Sequence, residues 1–435
     1  MGVPLSSTNI TVKAYGFRTH LKKIIPRMDY FTHGIHPYTA KLIPHIPRYV
    51  LEKYTQKNEI ILDPFCGSGT TLLEAKLLGR NAIGVDINPL ATLISEVKCT
   101  PLNLNELMLA NSQVKEELRI GKGKTAVNCP NIDYWFCKKA QNEMSRIKYG
   151  IEKFKISGKF NHTIYKFLLV CFSTIIRKSS YADPRIAKTY KSKRIIQKIE
   201  NGWVPTPIQY FEDALDRNFE KIKSLSEHPN SSDNYVKVFQ GDARETSDIL
   251  KRNRIKNVDF IITSPPYINA QDYFRSYKLE LWWLGLATPE EVRKLNMDAI
   301  GTERISGHNY NILPKSGHRH LNTILNKIWK IDKKKSYIVY NYFENMEQVL
   351  DQSYVVLKNR GHFCLITGCN TICGVRIPTY KITTQIAKNR GFNLVELGRD
   401  KIKNRALPPK RNHKGGIIKE EWITVFQKED RKNEG

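Results

Sequence analysis

The sequence predicts an α/β fold in which a mostly parallel sheet is wound in two directions and covered by helices. Two observations carry this prediction. Apolar runs of strand length end at Asp63 and at Asp86, and leucines at helical spacing lie between them. Parallel neighbours need such a helical crossover, whereas antiparallel neighbours can be joined by a two-residue hairpin. Residues 60–88 therefore form the β-α-β unit around which the chain is organised.

A glycine-containing turn, DPFCGSGTT over residues 63–71, follows the first of these strands. Gly67 and Gly69 permit tight backbone conformations and a close approach of a ligand to the main chain. Thr71 and Glu74 have the spacing of a capping box, which predicts the start of the helix there. In a doubly wound sheet the carboxyl ends of the strands open onto the ligand crevice, so we expect both strand-end aspartates to face it.

Three kinds of cofactor site are compatible with parts of this pattern. A dinucleotide fold needs a third glycine where Leu72 stands, and a P-loop needs a lysine that the turn lacks. The third kind has Asp63 after one strand, a glycine turn, and Asp86 placed to hold a ribose diol. It suits a cofactor without a pyrophosphate, such as S-adenosylmethionine. An ordinary β-α-β unit with turn glycines remains the structural alternative.

A second motif follows another buried-strand run at residues 258–263. It reads Ser264-Pro265-Pro266-Tyr267. Two adjacent prolines cannot continue a strand and fix a rigid turn. We therefore expect the serine and the tyrosine to face the same crevice as the two aspartates.

With these two motifs the chain resembles the amino-methylating DNA methyltransferases, which make N4-methylcytosine or N6-methyladenine. The resemblance covers residues 30–100 and 234–430 and rests on Asp63-Pro64-Phe65-x-Gly67-Ser68-Gly69-Thr70-Thr71 and on Ser264-Pro265-Pro266-Tyr267. It implies a Rossmann-like, seven-stranded methyltransferase core that uses S-adenosyl-L-methionine. It also implies double-stranded DNA as partner and a cytoplasmic prokaryotic or phage enzyme, with a cognate restriction endonuclease as a possible separate partner.

The resemblance also implies which residues hold the cofactor. An HPY-x-AK-x-IP stretch like that at residues 36–44 helps to close over the methionine end in this family, and an acidic residue at the third strand tip contacts adenine. A packing helix and a helix-capping aspartate are the respective alternatives. The predicted cofactor residues are Tyr38, Lys41, Asp63, Pro64, Phe65, Gly67, Gly69, Thr70, Thr71, Asp86, Ile87, Asp242 and Ala243.

The catalytic prediction concerns an exocyclic amine, which is a poor nucleophile because its lone pair is delocalised into the ring. Ser264 Oγ and the Pro265 carbonyl are predicted to accept the amine protons, with Pro266 completing the turn. Tyr267 is predicted to stack on the extracted base, which is out of reach inside a duplex. Serine rather than aspartate at position 264 favours cytosine N4, although some family members with serine methylate adenine. A cytosine-C5 enzyme needs a Pro-Cys nucleophile, whereas Cys129-Pro130 has the reverse order.

Charge supports a nucleic-acid partner. The 435 residues carry 70 Lys+Arg against 42 Asp+Glu, a net charge of +28, and such an excess favours binding to a polyanion. An RNA methyltransferase and a nucleic-acid-binding module with an inactive cofactor site are the competing functions. No apolar run approaches the roughly 20 residues that span a membrane, and the eight cysteines lack zinc spacing, so no metal is predicted.

The predicted organisation has three parts: an N-terminal segment with a cofactor lid helix (1–58), a discontinuous methyltransferase core (59–100 and 234–435), and a helical basic insertion (101–233). Further core strands are expected at 235–239, 361–367, 392–397 and 422–426. Helices are expected at 134–154, 163–176 and 210–226, and a loop that could order on DNA at 298–320. A solvated basic face is the alternative to DNA contact by the insertion. The predicted DNA contacts are Lys188, Lys191, Lys193, Arg194, Lys403 and Arg405.

Overall fold

A computed structural model describes residues 12–15, 28–39, 41–121, 123–157, 161–268, 272–402 and 418–430. The strands of this described part are β1 (Lys13–Tyr15), β2 (Ile60–Asp63), β3 (Asn81–Asp86), β4 (Val236–Gln240), β5 (Val258–Thr263), β6 (Leu357–Gly368), β7 (Asn370–Ile372), β8 (Val375–Ile377), β9 (Phe392–Lys401) and β10 (Glu420–Lys428). Eight of these described strands form one sheet in the order β1-β9-β10-β6-β5-β2-β3-β4, while β7 and β8 form a separate hairpin.

The sheet reverses its winding direction at β2. The chain passes from β2 through β3 to β4 on one side, and then crosses to β5 on the other side of β2. The pairs from β6 to β4 are all parallel, whereas β10 is antiparallel to both β6 and β9. This confirms the doubly wound α/β fold and all seven predicted core strands. The short β1 was not predicted, and it extends the sheet by pairing in parallel with β9.

Helices fill the connections between the strands. They are α1 (His45–Tyr54), α2 (Thr70–Leu77), α3 (Pro89–Cys99), α4 (Leu104–Ile120), α5 (Ile132–Trp135), α6 (Lys138–Ser157), α7 (His162–Ile176), α8 (Lys193–Glu200), α9 (Pro207–Ser226), α10 (Thr246–Arg252), α11 (Tyr273–Leu284), α12 (Pro289–Asp298), α13 (Arg319–Trp329), α14 (Lys333–Val356) and α15 (Thr379–Lys388). Short 3-10 turns occupy Phe31–Gly34 and Ala243–Glu245. Among the described helices, none is long and apolar enough to cross a membrane.

The helical insertion shares its hydrophobic core with the rest of the molecule. One cluster of buried side chains joins helices α4 to α7 and α9 with α3 and α11. Within it Trp283 on α11, which is 1% exposed, packs edge to face against Phe136 and Phe172 of the insertion at 5.4 and 6.3 Å between ring centroids. The insertion is therefore anchored on the helix that follows the Ser264–Tyr267 motif. Its boundaries at 101 and 233 stay a prediction.

The predicted capping box at the start of α2 is wrong. The helix begins at Thr70, after Gly69 in a left-handed conformation, and no side chain caps it. Glu74 is fully buried and points instead to the N-terminal segment. One of its carboxylate oxygens lies 2.7 Å from His33 Nε2, and the other accepts a hydrogen bond from Arg48 at 3.4 Å. A buried carboxylate requires such partners, and this requirement outweighs a local cap.

Candidate active site at the reversal point of the sheet

A hydrogen bond joins the two sequence motifs where the sheet reverses. Asp63 ends β2 and Thr263 ends the neighbouring β5, and the Thr263 hydroxyl donates to Asp63 Oδ1 at 2.7 Å. The main-chain amide of Phe65 donates to the same oxygen at 3.1 Å. Burial raises the pKa of Asp63 to about 6. Asp63 thus joins the glycine turn to β5, the strand that precedes the predicted catalytic turn.

Asp86 closes the glycine turn from the other side. Its carboxylate accepts hydrogen bonds from the amides of Gly67 at 2.8 Å and Asn88 at 2.9 Å, and burial raises its pKa to about 6. Gly67 has φ +51°, and a Cβ built there would meet no atom within 4 Å. A Cβ on Gly69, by contrast, would lie 2.9 Å from Ser95 Oγ. One glycine borders open space, and the other permits helix α3 to approach the turn.

The remaining predicted cofactor residues of this unit lie around the same turn. Pro64 is buried and Phe65 is half-buried after β2. Thr70 and Thr71 form the first turn of α2, and both are buried. Ile87 follows Asp86 and packs against the core shared with the insertion. The structure therefore gathers these residues, while their contacts with a cofactor stay a prediction.

The N-terminal segment reaches the site through Tyr38. Its ring stacks on Tyr277 of α11 at 4.7 Å between centroids and lies 6.3 Å from that of Tyr273. The Asn88 side-chain amide donates to the Tyr38 hydroxyl at 3.1 Å. The Tyr277 hydroxyl in turn accepts from the Thr39 amide at 2.6 Å. The stack links the predicted lid with the strand end that carries Asp86.

Lys41, the second predicted lid residue, has a different environment. Its side chain is exposed, and its ammonium donates to the carbonyl oxygens of His33 at 3.1 Å and His36 at 3.2 Å. Cations near the carbonyl end of a helical turn are stabilised there. Lys41 thus holds the Phe31–Gly34 turn against the lid, and its contact with a cofactor stays a prediction.

Asp242, at the tip of β4, caps the following 3-10 turn. Its carboxylate accepts from the main-chain amide of Arg244 at 2.9 Å and from the guanidinium of the same residue. Arg244 also donates to Asn345 Oδ1 at 2.8 Å and to the Asp298 carbonyl at 2.9 Å. The capping role is thus present, and Ala243 is buried beside it. Contact of either residue with adenine stays a prediction.

The predicted catalytic turn leaves the end of β5 directly beside Asp63. Ser264 is half-buried, Pro265 is buried and Pro266 is half-buried. The Tyr267 hydroxyl donates to Glu421 on β10 at 3.2 Å. Since β10 and β6 are neighbours in the sheet, this bond directs the tyrosine ring towards their shared edge.

Two glycines on distant segments pack closely against Tyr267. A Cβ on Gly368, at the end of β6, would lie 3.2 Å from Tyr267 Cζ. A Cβ on Gly301 would lie 2.7 Å from the Tyr267 carbonyl oxygen. Sequence reasoning identified neither glycine, nor Glu421, as part of the site. The sequence signal that could have indicated this approach is Gly368, a glycine directly after the predicted strand at 361–367.

The predicted DNA contacts of the insertion are not equivalent. Lys188 and Lys193 are exposed. Lys191 lies over two tyrosine rings, at 4.8 and 5.1 Å from their centroids. Arg194 donates to the buried carboxylate of Asp183 at 2.8 Å. The two other predicted contacts, Lys403 and Arg405, lie outside the described residues.

Arg177, which no motif indicated, anchors the basic stretch. Its guanidinium donates to four carbonyl oxygens between residues 183 and 188, including that of Lys188 at 3.1 Å. It also donates to the Ser276 carbonyl on α11 at 3.3 Å, and the Thr189 hydroxyl donates to the same carbonyl at 3.1 Å. The segment that carries Lys188 is therefore held against α11, the helix that carries the tyrosine stack.

A family model matches part of this chain, and known methyltransferases match more than half of it. A family model described as DNA methylase, for enzymes of the N6/N4 type, matches residues 20–96. Type II methyltransferase M.MvaI of Kocuria varians is 25% identical over 402 residues, covering 88% of this chain and 86% of the relative. Type II methyltransferase M.MjaII of Methanocaldococcus jannaschii is 47% identical over 336 residues, covering 58% and 62%. Type II methyltransferase M.BsoBI of Geobacillus stearothermophilus is 23% identical over 86% of this chain and 80% of its own.

Proposed function

We propose that the chain is a DNA methyltransferase that modifies an exocyclic amino group, as its similarity to such enzymes supports, and that it methylates N4 of cytosine within a specific DNA sequence. The observation that carries the proposal is the placement of Ser264 at the reversal point of the sheet. It follows Thr263, whose hydroxyl is bonded to Asp63 of the glycine turn. Ligands of doubly wound sheets bind at this point.

The cofactor is S-adenosyl-L-methionine, and the described residues fit it. Gly67 borders open space where a side chain would intrude, so the main chain of the turn is accessible to a ligand. Asp86 carries a half-buried carboxylate at the neighbouring strand end. When bound, this group supplies a sulfonium-activated methyl. We propose that Asp86 accepts hydrogen bonds from the ribose hydroxyls and that Tyr38 covers the bound molecule from the N-terminal side.

Ser264 and Pro265 are proposed to activate the target amine. The Ser264 hydroxyl and the Pro265 carbonyl would each accept a proton of the exocyclic amine in a hydrogen bond. Both acceptors stand on a turn that two prolines make rigid, so little reorganisation is needed when the amine reacts. Holding the amine in line with the transferable methyl adds a proximity effect.

Tyr267 is proposed to support the extracted base. Its hydroxyl bond to Glu421 and the close approach of Gly368 fix the ring before DNA arrives. A fixed aromatic ring can stack on a base at a small cost in side-chain entropy. The base must leave the duplex, because its amine is otherwise out of reach.

DNA is proposed to lie against the carboxyl ends of the strands and the exposed cations of the insertion. Lys188 and Lys193 are candidates for phosphate contacts, and the net charge of +28 supports a large electrostatic contribution to binding. Hydrogen bonds hold this stretch against α11, and the same helix carries Tyr277, on which Tyr38 stacks. A cognate restriction endonuclease would act as a separate protein.

Mass spectrometry of nucleosides, after incubation of DNA with the protein and S-adenosylmethionine, tests the proposal. We expect N4-methylcytosine. N6-methyladenine would retain the fold and the residue roles, but would show that Ser264 does not select the base. Methylation of RNA with none of DNA would overturn the proposed substrate.

A further inference from the structure

Helices α13 and α14 lie side by side in opposite directions. A short turn, Lys330-Ile331-Asp332, joins them. Near this turn the Ser336 hydroxyl of α14 donates to the Leu325 carbonyl of α13 at 2.9 Å. At the far end His318 Nε2, directly before α13, lies 2.5 Å from a carboxylate oxygen of Glu347 on α14. The two helices are therefore paired along the whole of α13, and we call residues 318–347 the helical hairpin.

The tip of the helical hairpin projects beyond the carboxyl edge of the sheet. Asn345 on α14 is level with that edge, because its side chain accepts from Arg244, in the turn after β4, at 2.8 Å. From there α14 runs back to the amino edge, where it leads directly into β6. In the other direction the helix continues to Lys333, about 18 Å further along its axis. A base that reaches Ser264 approaches from this edge, so DNA passes beside the projecting tip.

The projecting part carries a strong excess of positive charge. Between residues 319 and 343 the chain has six Lys and Arg residues and one acidic residue, Asp332. The Asp332 carboxylate caps α14, because it accepts from the Lys335 amide at 3.0 Å. The other five cations are exposed, and none of them forms an ion pair with another residue that the structure describes: Arg319, Lys327, Lys330, Lys333 and Lys334. Unlike Arg194 of the insertion, these cations have no carboxylate partner among the described residues.

Helix α13 presents its cations to solvent on one face. Its inner face is fixed by buried side chains at i, i+3, i+4 and i+7: Leu321, Ile324, Leu325 and Ile328. Arg319 and Lys330 stand on the opposite face, about 16 Å apart along the axis, and Lys327 lies between them. A row of exposed cations suits an extended polyanion, because it offers successive charges rather than one enclosed site.

The helical hairpin and the insertion lie on opposite faces of the sheet. Helices α13 and α14 pack in one cluster with Leu62 of β2 and Ile261 of β5. The neighbouring residues of these strands, Ile61 and Ile262, point to the other face. There they pack with α1, α2 and α3, and the insertion packs on α3. A duplex at the carboxyl edge therefore has the insertion on one side and the helical hairpin on the other.

We propose that the outer face of the helical hairpin binds the phosphate backbone of the duplex beside the base that is methylated. Arg319, Lys327 and Lys330 contact phosphates along one strand. Phosphate contacts fix the position of a duplex but carry no direct sequence information, so this surface holds the DNA while other residues read it. The inference rests on the proposed function, since it requires DNA at the reversal point of the sheet.

The test removes two charges near the tip, in the double variant Lys327→Gln/Lys330→Gln. Glutamine has nearly the helix propensity of lysine, so α13 should be retained. The control Lys251→Gln/Lys256→Gln removes two exposed charges before β5, at the amino edge of the sheet. A third protein, Lys327→Arg/Lys330→Arg, changes the same side chains but keeps both charges. Thermal unfolding verifies that each variant folds.

Fluorescence anisotropy of a labelled DNA duplex, titrated at several salt concentrations, measures the salt slope of binding. We expect the glutamine variant to lower this slope by about two units, one for each lost phosphate contact. The control and the arginine variant should keep the wild-type slope. Calorimetry without DNA should show unchanged S-adenosylmethionine affinity in all variants, because the proposed contacts involve DNA alone.

Three results would overturn the proposal. The first is a glutamine variant whose slope equals that of the wild type and the control. The second is an equal reduction in the arginine variant, since a lost packing contact rather than a lost charge would then be the cause. The third is a loss of affinity for single-stranded RNA of the same length with none for the duplex.

Failure of the proposed function gives a different result. In that case the wild type binds the duplex but transfers no methyl group to it. The salt slopes of the wild type and the glutamine variant still decide whether the helical hairpin contacts phosphates. If the wild type does methylate the duplex and the two slopes agree, the proposed function stands and the helical hairpin is excluded from the interface.

Discussion

The reversal point of the sheet and the basic stretch of the insertion position their side chains in different ways. At the reversal point, Asp63 and Asp86 occupy strand ends, Ser264 directly follows one, and the ladder register of neighbouring strands sets their separation. In the basic stretch the cations stand on a loop and a short helix. Arg177 and the buried Asp183 hold that loop through main-chain and side-chain hydrogen bonds.

This difference shows which side chains are available to a ligand. At the strand ends, Asp86 and Ser264 are half-buried and keep exposed surface at the crevice, whereas Asp63 is buried and bonded to Thr263 and Phe65. Cations in the insertion can instead serve the fold, as Arg194 does when it pairs with Asp183. A charged residue in a basic stretch is thus evidence of DNA contact only after its internal partners are known.

Removing the proposed amine acceptor should give the largest effect. We expect Ser264→Ala to lower the rate of methyl transfer at saturating cofactor by about a hundredfold or more, as for loss of one preorganised hydrogen-bonding group. S-adenosylmethionine affinity should be unchanged. Single-turnover assays and calorimetry measure the two quantities, with the exposed Ser232→Ala as control. An equal loss of cofactor affinity would contradict the catalytic role.

Replacing Asp86, at the end of β3, should affect cofactor affinity rather than the rate of methyl transfer. We expect Asp86→Asn to weaken S-adenosylmethionine binding by roughly ten- to a hundredfold, as for a lost hydrogen bond to a charged group, with little change in rate at saturation. Because burial raises the pKa of Asp86 to about 6, protonation below that pH removes an acceptor and weakens wild-type binding.

Cofactor titrations of the wild type and Asp86→Asn between pH 5 and pH 8 test this assignment. Asp63 also has a pKa raised to about 6, so some pH dependence should persist in the variant. The wild type should nevertheless lose affinity more steeply than the variant as the pH falls. Parallel curves for the two proteins would argue against a direct role of Asp86 in binding.

Within the insertion, replacing each of two adjacent cations should distinguish a role in stability from a role in DNA binding. We expect Arg194→Gln to lower the free energy of unfolding by about 1–3 kcal/mol, because buried Asp183 loses a charged partner. Lys193→Gln, at an exposed position, should change it by no more than about 0.5 kcal/mol. Urea denaturation provides both values, and equal values would remove the structural role assigned to Arg194.

The exposed cations should produce the smallest effect. Lys188→Gln and Lys193→Gln should each reduce the salt slope of DNA binding by about one unit if each contacts one phosphate. Lys57→Gln is the control, because Lys57 is exposed in the turn before β2, at the amino ends of the strands. Slopes that match the control would place DNA on another surface.

Much of the fold followed from local patterns. Apolar runs that end in Asp63 and Asp86 predicted the first parallel pair, and the Pro265-Pro266 pair marked the end of β5. The capping box at Thr71 and Glu74 failed because Glu74 finds its partners in the N-terminal segment. Short β1 lacked a pattern of its own, since its pairing depends on β9.

By itself, the sequence determined the strand-helix alternation, the glycine turn, the position of Ser264 and the resemblance to amino-methylating DNA methyltransferases. Only the tertiary structure decided which distant groups complete the site. Tyr38 stacks on Tyr277, and Tyr267 meets Glu421, across more than 150 residues of chain. The physical reason is that backbone conformation follows mostly from neighbours in sequence, whereas a buried polar group or aromatic ring takes whichever partner the packed core brings within reach.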